Sequence, residues 1–230
     1  PTTSSVTTTG AGGCYATFDG TDDVLVSPVG AEVGLADNFA LGAFINPAPL
    51  PADGVAFVAG RHNDGGSNGF YLALVNDAGV YKARLIVFTG GGTCTGDATV
   101  AGPGTWQHIL GTLAGGDITI FVDGQPAGTG ACGSTSNVES NSVFTVGRSQ
   151  TGVFPYGGDL DDVSYFGQAF TAAFDPAGLG CCSSAALRYS FNAVNVGRPS
   201  IVAEDCSVSV PAQVGSAPGA DGSDPVFVCP

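Results

Sequence analysis

The stretch from Thr105 to Gly124, TWQHILGTLAGGDITIFVDG, constrains the fold more than any other part of the chain. It contains two runs typical of β-strands, residues 106–113 and 118–122, separated by the pair Gly115-Gly116. Apolar side chains alternate along the second run, which predicts a strand with one buried face. Asp123-Gly124 then predicts a two-residue hairpin turn, because both central positions of such a turn favour positive φ. The stretch therefore predicts two strands and two turns of an antiparallel sheet.

The composition of the whole chain favours the same kind of structure. Its 230 residues include 37 Gly and 14 Pro, which suits many short strands joined by turns. Of the 20 acidic residues 17 are Asp, which favours turns and loops where Glu would favour helices. An all-β chain of this length can bury a full core as one domain. Further strands are predicted at 39–45, 55–59, 70–75 and 80–88.

The charge and the distribution of apolar residues argue against two kinds of interaction, with nucleic acid and with the interior of a membrane. One Lys and five Arg stand against the 20 acidic residues, giving a net charge of -14. Such a chain has no basic patch to neutralise phosphates, so nucleic acid is not an expected partner. The sequence also lacks a run of 18 apolar residues, so membrane insertion is not expected.

Seven cysteines without a C-x-x-C pair predict disulfides and an oxidising compartment, hence a secreted or cell-surface protein. Cys94 and Cys132 lie in two Gly-rich loops that bracket the central hairpins, and we expect them to pair. Cys206 and Cys229 are expected to pair within the C-terminal tail. One cysteine is left over, and it is either free or bonded to another chain.

The order of motifs resembles a known family. It runs W-x-H-[IV], a short glycine turn, [IV]-x-[IV]-F-V-D-G, a strand ending in V-G at 144–147, and G-x-L-D-D-V-x-x-F at 158–166. Residues 14–26 and 38–47 match in type and order. This pattern, over about residues 14 to 175, looks like the laminin-G-like modules of the concanavalin A-like lectin and glucanase superfamily. The resemblance implies a two-sheet antiparallel jelly-roll sandwich.

Three regions are expected along the chain. Residues 1–13 form a Ser/Thr-rich extension, residues 14–194 form the sandwich with a closing strand at about 187–191, and residues 195–230 form a Pro/Gly-rich, disulfide-containing tail. Both extensions are expected to be irregular, and the tail could not build a core of its own. The chain has no methionine and no signal peptide, which indicates a processed form. Because the family brings its first and last strands together, the resemblance implies that Cys14 meets Cys181 or Cys182.

The resemblance also implies a calcium site at the edge of the sandwich. The runs DGTDD at 19–23 and DLDD at 159–162 supply carboxylates, which are hard oxygen ligands suited to Ca²⁺. Asp19, Asp22 and Asp161 are the expected ligands. The alternative is that these aspartates form turns at strand ends.

A catalytic function is not expected. Glu32, Glu139 and Glu204 are isolated, whereas the glucanases of this superfamily place their carboxylates on one strand as E-x-D-x-E-like runs. His108 shares a strand face with Trp106 and is expected to pack in the core. No G-x-S-x-G nucleophile signal accompanies it.

Two functional classes remain. The first is a structural or adhesive subunit that binds copies of itself or other extracellular proteins, for example in a filament, through its tails, sheet edges and odd cysteine. The second is a calcium-dependent carbohydrate-binding module that contacts glycans through the edge loops 61–69 and 153–157. The candidate glycan contacts are the polar Arg61, Asn63 and Asp64 and the aromatic Phe154 and Tyr156. The two aromatic rings would serve equally well as core residues.

Overall fold

The computed structural model describes residues 14–27, 38–62, 69–89, 92–132, 143–176, 185–189, 200–202, 211–214 and 225–228. Within these ranges the chain forms sixteen strands. They are β1 (Tyr15–Asp19), β2 (Leu25–Val26), β3 (Asn38–Pro47), β4 (Val55–His62), β5 (Gly69–Asp77), β6 (Val80–Thr89), β7 (Gly92–Thr99), β8 (Gln107–Ala114), β9 (Asp117–Val122), β10 (Gln125–Ala131), β11 (Thr145–Val146), β12 (Gly157–Phe166), β13 (Ala185–Tyr189), β14 (Ser200–Val202), β15 (Pro211–Val214) and β16 (Val226–Val228).

The described strands form two sheets of eight strands each. The first sheet has the order β10-β9-β8-β3-β12-β1-β16, and β13 also pairs with β12. The second has the order β14-β15-β2-β11-β4-β5-β6-β7. The pairings between these strands are antiparallel. The predicted all-β jelly-roll sandwich is therefore confirmed, and no helix of the described part could reach across a membrane.

The hairpin predicted at Asp123-Gly124 is present between β9 and β10. Asp123 has φ 49° and Gly124 has φ 75°, and Val122 pairs with Gln125 across the turn. Both central residues thus adopt the positive φ that the Asp-Gly pair predicts.

Aromatic rings from both sheets fill the space between them. Phe39 and Tyr165 from the first sheet lie 5.9 Å apart, and Phe70 of the second sheet lies 4.5 Å from Phe39. All three side chains are buried. Truncating such a ring to alanine costs about 3–5 kcal/mol of stability, so this contact is central to the attachment of one sheet to the other.

The outer face of the first sheet is covered by the segment that follows β12. Phe170 donates its backbone N–H to Thr112 Oγ1 at 3.1 Å, and Phe174 donates to the carbonyl of Gly124 at 2.9 Å. His108 is buried against the rings of Phe44 and Phe174, with centroids 4.8 and 5.7 Å away. Burial lowers the pKa of His108 to about 3. The prediction of a packed core histidine is confirmed.

The two sheets are joined to each other along one pair of edges, which are formed by β10 and β7. Cys94 of β7 and Cys132 at the end of β10 form the predicted disulfide, with Cα atoms 5.1 Å apart. Gly128 allows the two edge strands to approach closely, since a Cβ there would lie 1.8 Å from the carbonyl oxygen of Asp97. These edges are therefore protected from pairing with another chain.

The opposite edges receive strands from the tail. Tyr15 of β1 pairs with Val228 of β16, and Val26 of β2 pairs with Gln213 of β15. Three short stretches of the region expected to be irregular thus contribute to the two sheets of the sandwich. The closing strand expected at about 187–191 is observed as β13 at 185–189.

The remaining disulfide predictions fall largely outside the described residues. Cys14 is disulfide-bonded, and its partner is not among the described residues. Cys181, Cys182, Cys206 and Cys229 also lie outside the described ranges, as do the extension 1–13 and the pairing expected between Cys206 and Cys229.

Candidate functional site

Residues 19–23, which we call the acidic turn, follow β1 directly. The backbone N–H of Asp19 donates to Asp23 Oδ2 at 2.6 Å, and that of Thr21 donates to Asp19 Oδ1 at 2.7 Å. These two hydrogen bonds fold the turn back on itself. The carboxylate oxygens of Asp19, Asp22 and Asp23 consequently lie within 4.8 Å of one another.

The acidic turn has the donor chemistry that calcium requires. Its three carboxylates are hard oxygen ligands, and they could supply part of the roughly six to eight oxygens that Ca²⁺ takes. The carboxylate of Asp22 makes neither of the two hydrogen bonds that shape the turn. Binding an ion through Asp22 would therefore leave the fold of the turn intact.

Asp161, the third predicted ligand, lies away from the acidic turn. Asp19 pairs with Gly157 across β1 and β12, so Asp161 is four positions further along β12, about 13 Å at the rise of a strand. Its side chain is 2% exposed, and Asp161 Oδ1 accepts the backbone N–H of Asp162 at 2.8 Å. We therefore remove Asp161 from the candidate set. Asp23, which belongs to the same DGTDD run, takes its place.

Residues 148–155 form a second loop at this end of the sandwich, and we call it the Phe154 loop. The N–H of Gly147 donates to Val58 O at 2.9 Å, and the N–H of Tyr156 donates to Gly147 O at 2.7 Å. Phe57 donates its N–H to Phe154 O at 2.8 Å. The loop is thus attached to β4 on both its arms.

The two aromatic residues predicted to stack on a sugar have opposite environments. Phe154 is 40% exposed and adopts φ 57°, whereas Tyr156 is fully buried. Tyr156 Oη donates to the carbonyl of Asp159 at 3.0 Å, and burial raises the pKa of this phenol well above its usual value. Tyr156 is a core residue and cannot stack on a ligand, so Phe154 remains as the candidate.

The acidic turn and the Phe154 loop pack on the same buried residues. The ring of Phe18, which precedes the acidic turn, meets Tyr156 edge-on with centroids 6.1 Å apart. The same ring fills the space beside Gly147, where a Cβ would lie 2.2 Å from it. Because Asp19 also pairs with Gly157, the two loops emerge side by side from the same end of the sandwich.

The polar loop that was predicted to join this site begins at the other end of β4. Arg61 is four residues beyond Phe57, about 13 Å along the strand. Its half-buried side chain lies close enough to the core to affect Tyr165: burial raises the pKa of Tyr165 to about 12, and the Arg61 charge acts against that rise. Asn63 and Asp64 lie outside the described residues.

Residues 18–173 match the family model described as the concanavalin A-like lectin/glucanases superfamily. The chain belongs to this superfamily. The predicted laminin-G-like relationship is thereby confirmed for most of the chain. A search of curated proteins with the sequence found no match.

Three solved structures share the concanavalin A-like fold of this chain. A putative carbohydrate binding protein from Bacteroides ovatus has 17% identity and a TM-score of 0.64, over 94% of this chain and 60% of that one. A heptameric SAP-like pentraxin from Limulus polyphemus has 16% identity and a TM-score of 0.53, over 71% and 80%. The CBM40 of Ruminococcus gnavus IT-sialidase, bound to α2,3-sialyllactose, has 12% identity and a TM-score of 0.54, over 70% and 95%. At these identities the likeness shows the fold alone.

A second aromatic group lies on the outer face of the second sheet of this concanavalin A-like fold. His62 stacks on Phe88 with centroids 4.5 Å apart, and Tyr71 stacks on Phe57 at 5.2 Å. His62 and Tyr71 are only 6% and 9% exposed. These rings are in contact with one another, so they present less free ring surface than Phe154.

Proposed function

We propose that this protein is a non-catalytic, calcium-dependent carbohydrate-binding module of a secreted or cell-surface protein. The observation that carries this proposal is the placement of the acidic turn beside the Phe154 loop. Sugar sites combine an apolar or aromatic surface with a few polar groups that fix orientation. The two loops offer both kinds of group at one end of the sandwich.

Phe154 is the strongest single residue in support of a binding surface. A bulky side chain at φ 57° is an outlier that costs about 1–2 kcal/mol, and exposing an aromatic ring adds a further cost. Such strained residues often cluster at ligand sites. The hydrogen bond from Phe57 to Phe154 O holds this arrangement in place. A ring presented rigidly in this way can stack on the apolar face of a sugar.

Calcium would be held by Asp19, Asp22 and Asp23. When bound, it would supply a positive charge that coordinates hydroxyl oxygens of the sugar. The residues of the turn already fix the carboxylates within 4.8 Å of one another through their own hydrogen bonds. The chain therefore contributes an ordered set of ligands at the end of the sandwich where the Phe154 loop also lies.

The comparisons support the same class of function. One of the three structures is described as a putative carbohydrate binding protein, and another is a sialidase CBM40 bound to α2,3-sialyllactose. The carboxylate of Asp159 on β12 accepts hydrogen bonds from Thr17 Oγ1 at 2.8 Å and Asn46 Nδ2 at 2.9 Å. Both oxygens thus link neighbouring strands, which favours a structural role for this residue.

A glycan array read with and without calcium tests the proposal. The wild type should bind a defined subset of glycans, and EDTA should abolish that binding. Phe154→Ala should remove it, whereas Val80→Ala should not, because Val80 is a similarly exposed apolar residue on β6, which is separated from β4 by β5. A flat response of the wild type across the array in calcium would refute the proposal.

Self-association as an adhesive or structural subunit is the second candidate. It is favoured by the tail, whose strands β15 and β16 pair with β2 and β1 and could pair in the same way with a neighbouring copy. Sedimentation of the full chain without reductant, at several concentrations, tests it. Species larger than 22.7 kDa that disappear when residues 195–230 are deleted would support exchange of tail strands. A monomer at every concentration would exclude it.

A further inference from the structure

Arg148 differs from the other basic residues whose side chains the structure describes. Lys82 pairs with Asp77, Arg84 pairs with Asp97 through two hydrogen bonds, and Arg61 has interactions of its own. Arg148 has no hydrogen bond or ion pair within the described residues, and its Nε is buried without a partner. An unpaired buried donor on a charged group is costly. The side chain as a whole is only half-buried, so part of it is open to solvent.

The position of Arg148 places it beside Phe154. The N–H of Ser149 donates to Val153 O at 3.3 Å, and the N–H of Tyr156 donates to Gly147 O at 2.7 Å. These two bonds join the arms of the Phe154 loop. Arg148 lies between them on one arm, and Phe154 lies between them on the other. The backbones of Arg148 and Phe154 therefore lie across from each other in the same narrow segment of the loop.

The guanidinium is held within the loop and is not covered by a large side chain on the side of Gly152. The nearest atoms to a Cβ built at Gly152 are Arg148 Nη1 and Cζ, at 3.8 and 3.9 Å. Gly152 has no side chain to shield the charge from a ligand. Ser149 Oγ accepts the N–H of Val153 at 3.1 Å and so keeps this turn closed beside the guanidinium.

We propose that Arg148 binds a carboxylate or sulfate group of an acidic glycan whose sugar ring stacks on Phe154. A guanidinium fork matches the geometry of planar and tetrahedral oxyanions and forms strong charge-assisted hydrogen bonds with them. The net charge of -14 offers no long-range attraction to an anion, so the selectivity arises from this short-range contact. The inference rests on the proposed function and specifies the ligand class of the same site.

The test is a set of matched glycans, each neutral oligosaccharide being compared with its sulfated and its uronic or sialic acid-bearing form, with calcium present throughout. The wild type should bind the acidic members about tenfold more tightly, as expected for one charge-assisted contact. The Arg148→Gln variant should bind the acidic and neutral glycans of each set with equal affinity, close to the affinity of the wild type for the neutral glycan. Phe154→Ala should lose both.

The outcomes separate this inference from the proposed function. A wild type that binds neutral and acidic members equally overturns the role of Arg148 and leaves the carbohydrate-binding function in place. Retained acid preference in Arg148→Gln overturns it as well. Absence of binding by the wild type to every member overturns both proposals.

A second measurement on the wild type does not depend on the folding of a variant. The side-chain N–H signals of Arg148 are followed by NMR during titration with sodium sulfate, and sodium chloride at equal ionic strength is the control. The inference predicts a saturable shift of these signals with sulfate. Equal responses to sulfate and chloride would contradict it.

Discussion

Asp19 pairs with Gly157 across β1 and β12, and this register brings the acidic turn next to the end of the Phe154 loop. The two segments are more than 120 residues apart in sequence. Between them, the rings of Phe18 and Tyr156 form a buried base. The candidate site therefore depends on the register of β1 and β12, which brings two segments that are distant in sequence together.

Replacing Phe154 with asparagine should stabilise the protein and abolish glycan binding. Asparagine tolerates the positive φ at this position far better than phenylalanine does, and the change also removes an exposed ring. We expect a gain of roughly 1 kcal/mol in the free energy of unfolding. Urea unfolding and binding to an array-selected glycan are the measurements. Reduced stability would show that Phe154 packs more favourably than its exposure indicates.

Calcium should raise the melting temperature of the wild type, because an ion that binds only the folded chain stabilises it by mass action. The gain is about 2.7 kcal/mol at a calcium concentration one hundred times the Kd. Asp22→Asn should remove most of this gain, since Asp22 makes neither hydrogen bond of the turn. Asp117→Asn, at an exposed carboxylate on β9, is the matched control. Equal thermal shifts in all three proteins, or none, would argue that the three aspartates serve only to form the turn.

His108 should make the protein lose stability as the pH falls. Its folded pKa of about 3 lies below the unfolded value of about 6.5, so the unfolded state binds an extra proton between these values. The stability that the neutral ring provides is fully present above pH 6.5 and declines towards pH 3. Between pH 7 and pH 5 the loss is about 2 kcal/mol.

The variant His108→Phe should lack this part of the pH dependence. It keeps an aromatic ring beside Phe44 and Phe174 and removes the titrating group. Urea unfolding of both proteins at pH 7 and pH 5 gives the comparison. Equal losses in the free energy of unfolding between pH 7 and pH 5 in the two proteins would show that carboxylates alone cause the acid sensitivity.

The register of the last strand predicts the partner of Cys14. Tyr15 pairs with Val228, so the next residues along the two strands are Cys14 and Cys229. Opposed residues in antiparallel strands have a Cα spacing that a disulfide can bridge. We expect a Cys14–Cys229 disulfide, in place of the pairing with Cys181 or Cys182 that the family resemblance implied. This bond would also replace the pairing of Cys206 with Cys229 that was expected within the tail.

Cleavage before aspartates without reductant provides the measurement. The digest should contain one species in which residues 1–18 and 224–230 are joined, and reduction should separate it into two peptides. Linkage of residues 1–18 to the peptide that begins at Asp175 would instead support Cys181 or Cys182.

Much of the fold could be predicted because its signals are local. Alternating apolar residues and the Asp123-Gly124 turn define the central hairpins without reference to the rest of the chain. The Cys94–Cys132 disulfide could also be predicted, because the two loops that contain these cysteines bracket those hairpins. Strands β14 to β16 could not be predicted, since their short segments carry no alternating pattern. They depend on distant partners: β16 pairs with β1, β15 pairs with β2, and β14 pairs with β15.

The candidate site could be predicted only in part, because it depends on register and on backbone conformation. The sequence does not show how far Asp161 lies from Asp19, and only the pairing of β1 with β12 shows that the two residues are apart. Phe154 and Tyr156 are two residues apart, as if on one face of a strand. The positive φ of Phe154 breaks that pattern, which leaves one ring exposed and the other buried.

Mapping the bound glycan on the protein surface tests the central claim most directly. Backbone NMR spectra would be recorded during titration of the wild type, in calcium, with the glycan that binds best on the array. The account predicts that the largest shifts fall in residues 19–23 and 148–155. Shifts centred on the outer face of the second sheet, around Tyr71 and Phe88, would contradict it.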